Sequence, residues 1–170
     1  MAAEIEVRPV SPEEYAEAGE VTARAYREFA PPEVAQWQEY LARIADVATR
    51  AQHTVVLVVL VDGVIAGTTT IELDQHIEEG WREPVAPDEA HIRMLGVDPA
   101  YRRRGAGRAL IEATIALAQD RNRSRITLET TAQMQAAHRM YESKGFVARG
   151  SKEVQPGLTF LSYELRLPAR

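Results

Sequence analysis

The densest run of chemistry-bearing residues is VDPAYRRRGAGRAL, Val97 to Leu110, where Arg102, Arg103 and Arg104 lead directly into Gly105-Ala106-Gly107. Guanidinium groups hold phosphate by charge and by a fork of N–H donors. A helix that starts on small residues holds it by unpaired backbone N–H groups and the helix dipole. The run is therefore read as an anion site. A dinucleotide fingerprint needs Gly-x-Gly-x-x-Gly directly after the first strand of a βαβ unit. Here the third position is Leu110, and three strands and two helices come earlier in the chain. A Walker loop needs Gly-Lys-Ser/Thr, and neither Lys144 nor Lys152 stands in that context. A nucleic-acid face needs clustered positive charge, whereas 25 acids against 20 bases leave this chain at −5. What survives is a pyrophosphate cradle for a cofactor other than a dinucleotide.

The elements that must position this run follow from periodicity. Ile5 and Val7 alternate with polar residues as an opening strand does. Ser11 and Pro12 read as the start of a helix reaching about Phe29, broken by Pro31 and Pro32. A second helix is expected from Glu33 to about Ala51, with Trp37, Leu41, Ile44 and Val47 on one face. TVVLVVLV is a buried strand, turned by Asp62-Gly63 into VIAGTTTIEL. A polar loop, 74–88, precedes the strand AHIRMLGV. In that strand Ile92 and Met94 share one alternation phase, Leu95 and Val97 the other, which predicts a bulge eased by Gly96. A core-facing helix follows the glycines, then the strand RITLETT, a helix from Met134 to Lys144 stopped by Gly145, and two closing strands.

The 170 residues fit one domain, 1–170, with composition ordinary for a soluble globular protein. The absence of cysteine excludes disulfides, thiolate metal sites and a thiol nucleophile. His53, His76, His91 and His138 fall in separate segments with no i,i+4 pair, so no metal is expected. The longest apolar run, Val55 to Val61, is strand-length, and the N-terminus MAAEIEVRPV is unlike a secretory signal; a cytoplasmic protein is expected, with no membrane or nucleic-acid partner.

At this point the chain resembles the GNAT superfamily of acetyl-CoA-dependent N-acetyltransferases. RRRGAG fits that family's Arg/Gln-x-x-Gly-x-Gly signature through Arg102, Gly105 and Gly107. AAHRMYESKGF fits a second signature, a helix carrying Tyr141 and ending in Gly145-Phe146. The resemblance covers essentially the whole chain. It implies a mixed α+β fold: a central, mostly antiparallel twisted sheet of about seven strands, flanked by about four helices and splayed between the fourth and fifth strands.

The resemblance also implies roles. Arg103, Arg104, Gly105, Ala106, Gly107 and Arg108 would wrap the pyrophosphate of acetyl-CoA, the donor substrate. Leu95, Gly96 and Val97 would pair with the pantetheine arm as an added strand does, the Leu95 N–H polarising the thioester carbonyl. Tyr141 would be the general acid for the departing thiolate, and Glu129 the base that takes the amine's proton, with His91 and Glu89 as the other candidates. Met134 stands where relatives often carry a pantetheine-binding asparagine. A homodimer through the C-terminal strands is also implied.

The acceptor is expected to be a primary amine. Glu72, Asp74, Glu78, Glu79, Glu83, Asp88 and Glu89 against Arg82 form an acidic stretch that would draw a cationic small molecule or peptide amine. Trp81 and Trp37 are candidate pocket walls, although an aromatic on a helix face such as Trp37 belongs more often to a core. Two classes of function remain open: direct acetyl transfer in a ternary complex, and a non-catalytic acyl-CoA sensor.

Overall fold

In the computed structural model, which describes residues 1–30, 33–74 and 84–169, seven strands form one sheet in the order β1-β2-β3-β4-β5-β7-β6. The strands are β1 (Ile5–Pro9), β2 (Val55–Val61), β3 (Val64–Glu72), β4 (Glu89–Val97), β5 (Arg125–Thr131), β6 (Val147–Gln155) and β7 (Leu158–Arg166). The helices are α1 (Tyr15–Arg27), α2 (Ala35–Ala45), α3 (Val47–Arg50), α4 (Ala106–Asp120) and α5 (Gln135–Ser143). The expected mixed sheet and strand sequence are both present, with one helix more than expected before β2. No helix among the described residues is long and apolar enough to cross a membrane.

The chain divides into two compact units, Met1–Thr70 with Met94–Ala113, and Ile71–Arg93 with Thr114–Arg170. In the first, β1 pairs antiparallel with β2, from Ile5↔Val61 to Pro9↔Leu57. Val56, Val58, Leu60 and Ile65 pack with Ala18 and Val21 of α1 and Val47 of α3. A second cluster joins Ala30, Leu41, Ile44 and Met94, with Trp37 and Tyr40 packed against it edge to face at 5.7 Å. Trp37 is thus half-buried against a core cluster.

The long second helix is in fact two. Asp46 leaves helical geometry (φ −79°, ψ 75°), and its side chain accepts the Thr49 N–H as the cap of α3. A short carboxylate that bonds its own downstream backbone outcompetes helix continuation. Pro12–Glu14 form a 3-10 turn before α1, fixed where Glu14 accepts the Ser11 N–H at 3.0 Å and the Arg8 guanidinium at 2.6 and 2.9 Å. Pro31 and Pro32, the expected helix breakers, lie outside the described residues.

In the second unit β4 and β5 pair in parallel from Glu89↔Arg125 to Ile92↔Leu128, and the ladder stops there, as the expected splay requires. β5 pairs antiparallel with β7 along its whole length, and β7 with β6. Ala90, Ile92, Ile126 and Leu128 are buried by alternation on one face. The other face carries Glu89, His91, Thr127 and Glu129.

Candidate functional site

The arginine–glycine run forms a loop between β4 and α4. Asp98 caps a 3-10 turn, Pro99–Tyr101, by accepting the Ala100 N–H at 3.0 Å. Arg103 (φ 61°) and Gly105 (φ 91°) are then left-handed at alternate positions, the backbone pattern that turns N–H groups into an anion-binding concavity. The Gly105 carbonyl accepts the Ala109 N–H at 3.0 Å, so α4 begins here. The N–H groups of Ala106, Gly107 and Arg108 belong to its first turn, where no helix carbonyl is available to them. Arg103 and Arg104 are exposed and have no carboxylate partner among the described residues, Arg104 lying 5.6 Å from the Tyr101 ring centroid. Arg108 pairs with Glu112 at 3.0 Å on the surface. Cationic side chains, oriented N–H groups and a helix dipole converge on one exposed loop.

Arg102, the first arginine of the signature, does different work. Its guanidinium donates to the carbonyls of Val97 (3.1 Å) and Ala25 (3.2 Å) and pairs with Glu28. It ties the loop to β4 and to the end of α1, and its charge is spent there. Arg24 adds a second tie through Asp98 at 2.8 Å. Burial opposes charge on Asp98, but the Ala100 N–H and Arg24 outweigh it and hold the carboxyl below its usual range.

Three contacts set the second half of β4. The Tyr26 hydroxyl donates to the Leu95 carbonyl at 3.0 Å. A Cβ on Gly96 would lie 2.7 Å from the Ala25 Cβ and 3.2 Å from the Tyr26 ring, so only glycine lets α1 approach this closely. The Asp98 N–H donates to the Ala66 carbonyl at 2.8 Å. The left-handed residue in β4 is Met94 (φ 53°), not Gly96. Its side chain is held in the cluster with Leu41 and Ile44, and that packing offsets a conformation that is costly for a residue with a Cβ. Gly96 answers to helix packing instead.

In the second unit Tyr141 is buried, its ring 5.7 Å from Phe146 and 6.1 Å from Tyr163. Gly145 ends α5, and the Phe146 N–H returns to the Tyr141 carbonyl at 3.1 Å, which brings the two rings together. The Tyr141 hydroxyl has no hydrogen-bond partner among the described residues, whereas the neighbouring Tyr163 hydroxyl donates to Glu142 at 2.9 Å. Burial pushes the Tyr141 phenol well above its ordinary value, so it keeps its proton at neutral pH. Met134 caps α5, and its sulfur accepts from the Thr130 hydroxyl at 3.6 Å.

The strand face opposite the apolar one carries a connected polar group. His91 Nδ1 lies 2.8 Å from Thr127 Oγ1, and the Thr127 hydroxyl in turn donates to Glu89 Oε1. Glu89 Oε2 accepts the Ala86 N–H at 3.0 Å and lies 3.5 Å from Arg125. Glu129, two residues beyond Thr127 on β5, is exposed. Thr127 was not legible as part of this group, because the β4–β5 register that sets it against His91 is not written in either strand. Tyr26 and Arg24 were missed for the same reason, each lying about 70 residues from its partner in the chain.

The acidic stretch is not one surface loop. Glu72 is buried in β3 and pairs with Arg93 at 2.8 Å; Asp88 accepts from Ser124 at 2.8 Å; Glu89 is held as above. The Arg93 guanidinium offsets the Glu72 charge inside the protein, whereas Asp88 stays at the surface with a neutral partner. Glu78, Glu79, Trp81, Arg82 and Glu83 lie outside the described residues.

The sequence profile of the acetyltransferase (GNAT) family matches residues 22–146. The ribosomal protein bS18-alanine N-acetyltransferase of Escherichia coli is 44% identical over 62 residues, 36% of this chain and 42% of that protein. The N-acetylaspartate synthetase of Danio rerio is 40% identical over 70 residues, 40% of this chain and 25% of its own length. The chain thus spans less than half the length of these curated relatives. Among solved structures, the PaiA N-acetyltransferase of Thermoplasma acidophilum in complex with coenzyme A matches with a TM-score of 0.72 at 17% identity, covering 96% of this chain and 99% of that one.

Proposed function

The chain belongs to the acetyltransferase (GNAT) family, and on that premise we propose that residues 1–170 act as one N-acetyltransferase domain moving an acetyl group from acetyl-CoA to a primary amine by direct transfer. The observation that carries the reading is the loop at the start of α4. Two left-handed residues, three first-turn N–H groups and two arginines with no carboxylate partner among the described residues make a receptor for a pyrophosphate. In this reading Arg103, Arg104, Gly105, Ala106, Gly107 and Arg108 bind that pyrophosphate. Leu95, Gly96 and Val97 receive the pantetheine arm. The Leu95 carbonyl already accepts from Tyr26, so its N–H is the group assigned to the thioester oxygen.

An alkylamine, with a pKa of about 10.4, is mostly ammonium at neutral pH and cannot attack until it loses a proton. Glu129, the exposed carboxylate of β5, is assigned to take that proton. Attack on the thioester carbon forms the C–N bond, and collapse breaks the C–S bond with its electron pair going to sulfur. Tyr141 supplies the sulfur with a proton; its hydroxyl, without a partner among the described residues, and its raised pKa suit a group that must arrive protonated. The chain holds no cysteine, which leaves no thiol to carry the acetyl group on the way. The acceptor is a small-molecule or peptide amine, cationic at neutral pH.

Free-thiol release from acetyl-CoA with a panel of polyamines, amino acids including aspartate, aminoglycosides and peptides with N-terminal alanine or internal lysine tests this. Release above background with one class names the acceptor. Binding of acetyl-CoA by calorimetry without release on any amine would replace the enzyme by an acyl-CoA sensor, and failure to bind would refute both.

A further inference from the structure

From the packing of α5 against β7 we propose that Tyr163 is a positioning residue for Tyr141: its ring, anchored by Glu142 and backed by His138, sets where the Tyr141 hydroxyl stands. The proposal rests on the acetyltransferase reading above and on the acid role given there to Tyr141, and adds to it.

A general acid works only if its proton is held at the atom that needs it. A hydrogen bond within the protein can do the holding. The Tyr141 hydroxyl makes none to the described residues, so the packing of its ring is what fixes its oxygen. Two rings supply that packing. Phe146 lies 5.7 Å away and Tyr163 6.1 Å away, centroid to centroid, both within the range of ordinary aromatic pairs. All three rings are buried. Phe146 is brought there by its own segment, through its N–H on the Tyr141 carbonyl. Tyr163 comes from β7, and three things hold it.

The first is strand register. Tyr163 stands opposite Leu128 of β5 and Ala148 of β6, on the face where Ile126 and Leu128 are buried. Leu165, next on that face, lies 3.4 Å from where a Cβ on Gly145 would be, so β7 meets the end of α5 here. The second is a stack. The His138 ring lies 5.9 Å from that of Tyr163, with 33° between the planes. His138 is itself tied down: its Nε2–H donates to the Thr131 carbonyl at 2.9 Å, since a carbonyl oxygen can only accept. The third is the bond from the Tyr163 hydroxyl to Glu142 Oε1 at 2.9 Å. His138, Tyr141 and Glu142 are spaced i, i+3, i+4 and share one face of α5. Tyr163 therefore lies along about one turn of that face, its ring on His138, its hydroxyl on Glu142 and its flank against Tyr141. Although Glu142 is exposed, its carboxylate reaches inward to a tyrosine that is 4% exposed. Without that bond the Tyr163 ring keeps its place on the sheet but can rock, and the Tyr141 ring rocks with it.

The test uses the full chain with acetyl-CoA and the acceptor that releases thiol fastest, in the variants Y163F, Y163L, E142A and E142Q. Y163F and E142A are expected to lower kcat about fivefold at unchanged KM, and Y163L to approach the loss of Y141F. The side chain of E142Q keeps an acceptor oxygen for the Tyr163 proton, so kcat should stay at the wild-type value. In a Y141F background neither Y163F nor E142A should lower kcat further, because a residue that acts through the Tyr141 hydroxyl has nothing left to place. Glu142 is exposed, so E142A reads the anchor even if Y163L fails to fold. Independently of turnover, the ring signals of Tyr141 in carbon-13 tyrosine spectra should move in E142A and stay in E142Q. Wild-type kcat in both Y163F and E142A, an equal loss with and without the Tyr141 hydroxyl, or unmoved Tyr141 signals in E142A would overturn the proposal while leaving the acetyltransferase intact. Y141F with wild-type kcat, or a wild type without turnover on any amine, would instead remove the acid role or the transfer reading, and the proposal with it.

Discussion

Replacing Tyr141 by phenylalanine separates what the ring does from what the hydroxyl does. The ring packs between Phe146 and Tyr163, and phenylalanine keeps both contacts. The hydroxyl makes no hydrogen bond to the described residues, so its removal breaks nothing in the fold. Y141F should therefore stay within about 0.5 kcal/mol of the wild type in stability. For a chain of this size that is a change of no more than roughly 2 °C in Tm. Activity should fall. General acid catalysis contributes about 10²–10⁴-fold when the leaving group needs it. A thiol with a pKa of about 8.5 needs it less than an alkoxide, so a loss of about 10–100-fold in kcat is expected with little change in KM. Thiol-release kinetics and a thermal melt on one preparation read both quantities. A Y141F protein that melts several degrees lower at undiminished kcat would show that the hydroxyl is structural and the acid assignment wrong. Because burial raises the phenol's pKa, ionisation of Tyr141 should impose no loss of kcat between pH 7 and the ordinary tyrosine range of about 10.

Three further outcomes follow from particular contacts. G96A forces a Cβ to 2.7 Å from Ala25, so it should cost about 1–3 kcal/mol in denaturant unfolding and weaken acetyl-CoA binding as Tyr26 is pushed off Leu95; unchanged stability would show that α1 yields there. G105A puts a side chain at φ 91°, a strain of about 1–2 kcal/mol that should appear by calorimetry as roughly tenfold weaker acetyl-CoA binding, whereas full affinity would argue against the cradle. Hydrogen bonds from Arg8 and then from the Ser11 N–H hold the Glu14 carboxyl at about 2 in the folded protein. Depressed below its unfolded value, it contributes stability that is complete above the ordinary glutamate range and is lost as pH falls toward about 2. The Tm of the wild type should drop across that window, and E14Q should show a shallower drop; parallel curves would dismiss the Arg8–Glu14 pair as a source of acid sensitivity.

What the sequence determined by itself is local. Alternation in TVVLVVLV and RITLETT, the Asp62-Gly63 turn and the apolar spacing after Gly107 are i-to-i+4 properties, and each produced the expected element. The loop that the arginine–glycine run makes before α4 could be read for the same reason, since a turn into a helix start is made by consecutive residues. Tyr141 with Gly145-Phe146 was legible because the helix stop that folds Phe146 back is five residues long. Tertiary structure decided which charges are spent and which remain. Arg102 looks like its two neighbours until Ala25 and Glu28, in and just after α1, occupy its guanidinium, while Arg103 and Arg104 have no carboxylate partner among the described residues. The acidic stretch reads as one solvated run until Arg93, Ser124 and Thr127 claim three of its carboxylates. Likewise the strand-phase slip announced a distortion in β4 but could not say which residue bears it. Met94 does, because a pocket formed by α1 and α2 holds its side chain there. Strand register and helix docking join residues 21 to 77 positions apart, and hydrogen-bond directions follow from those meetings rather than from any pattern within a segment.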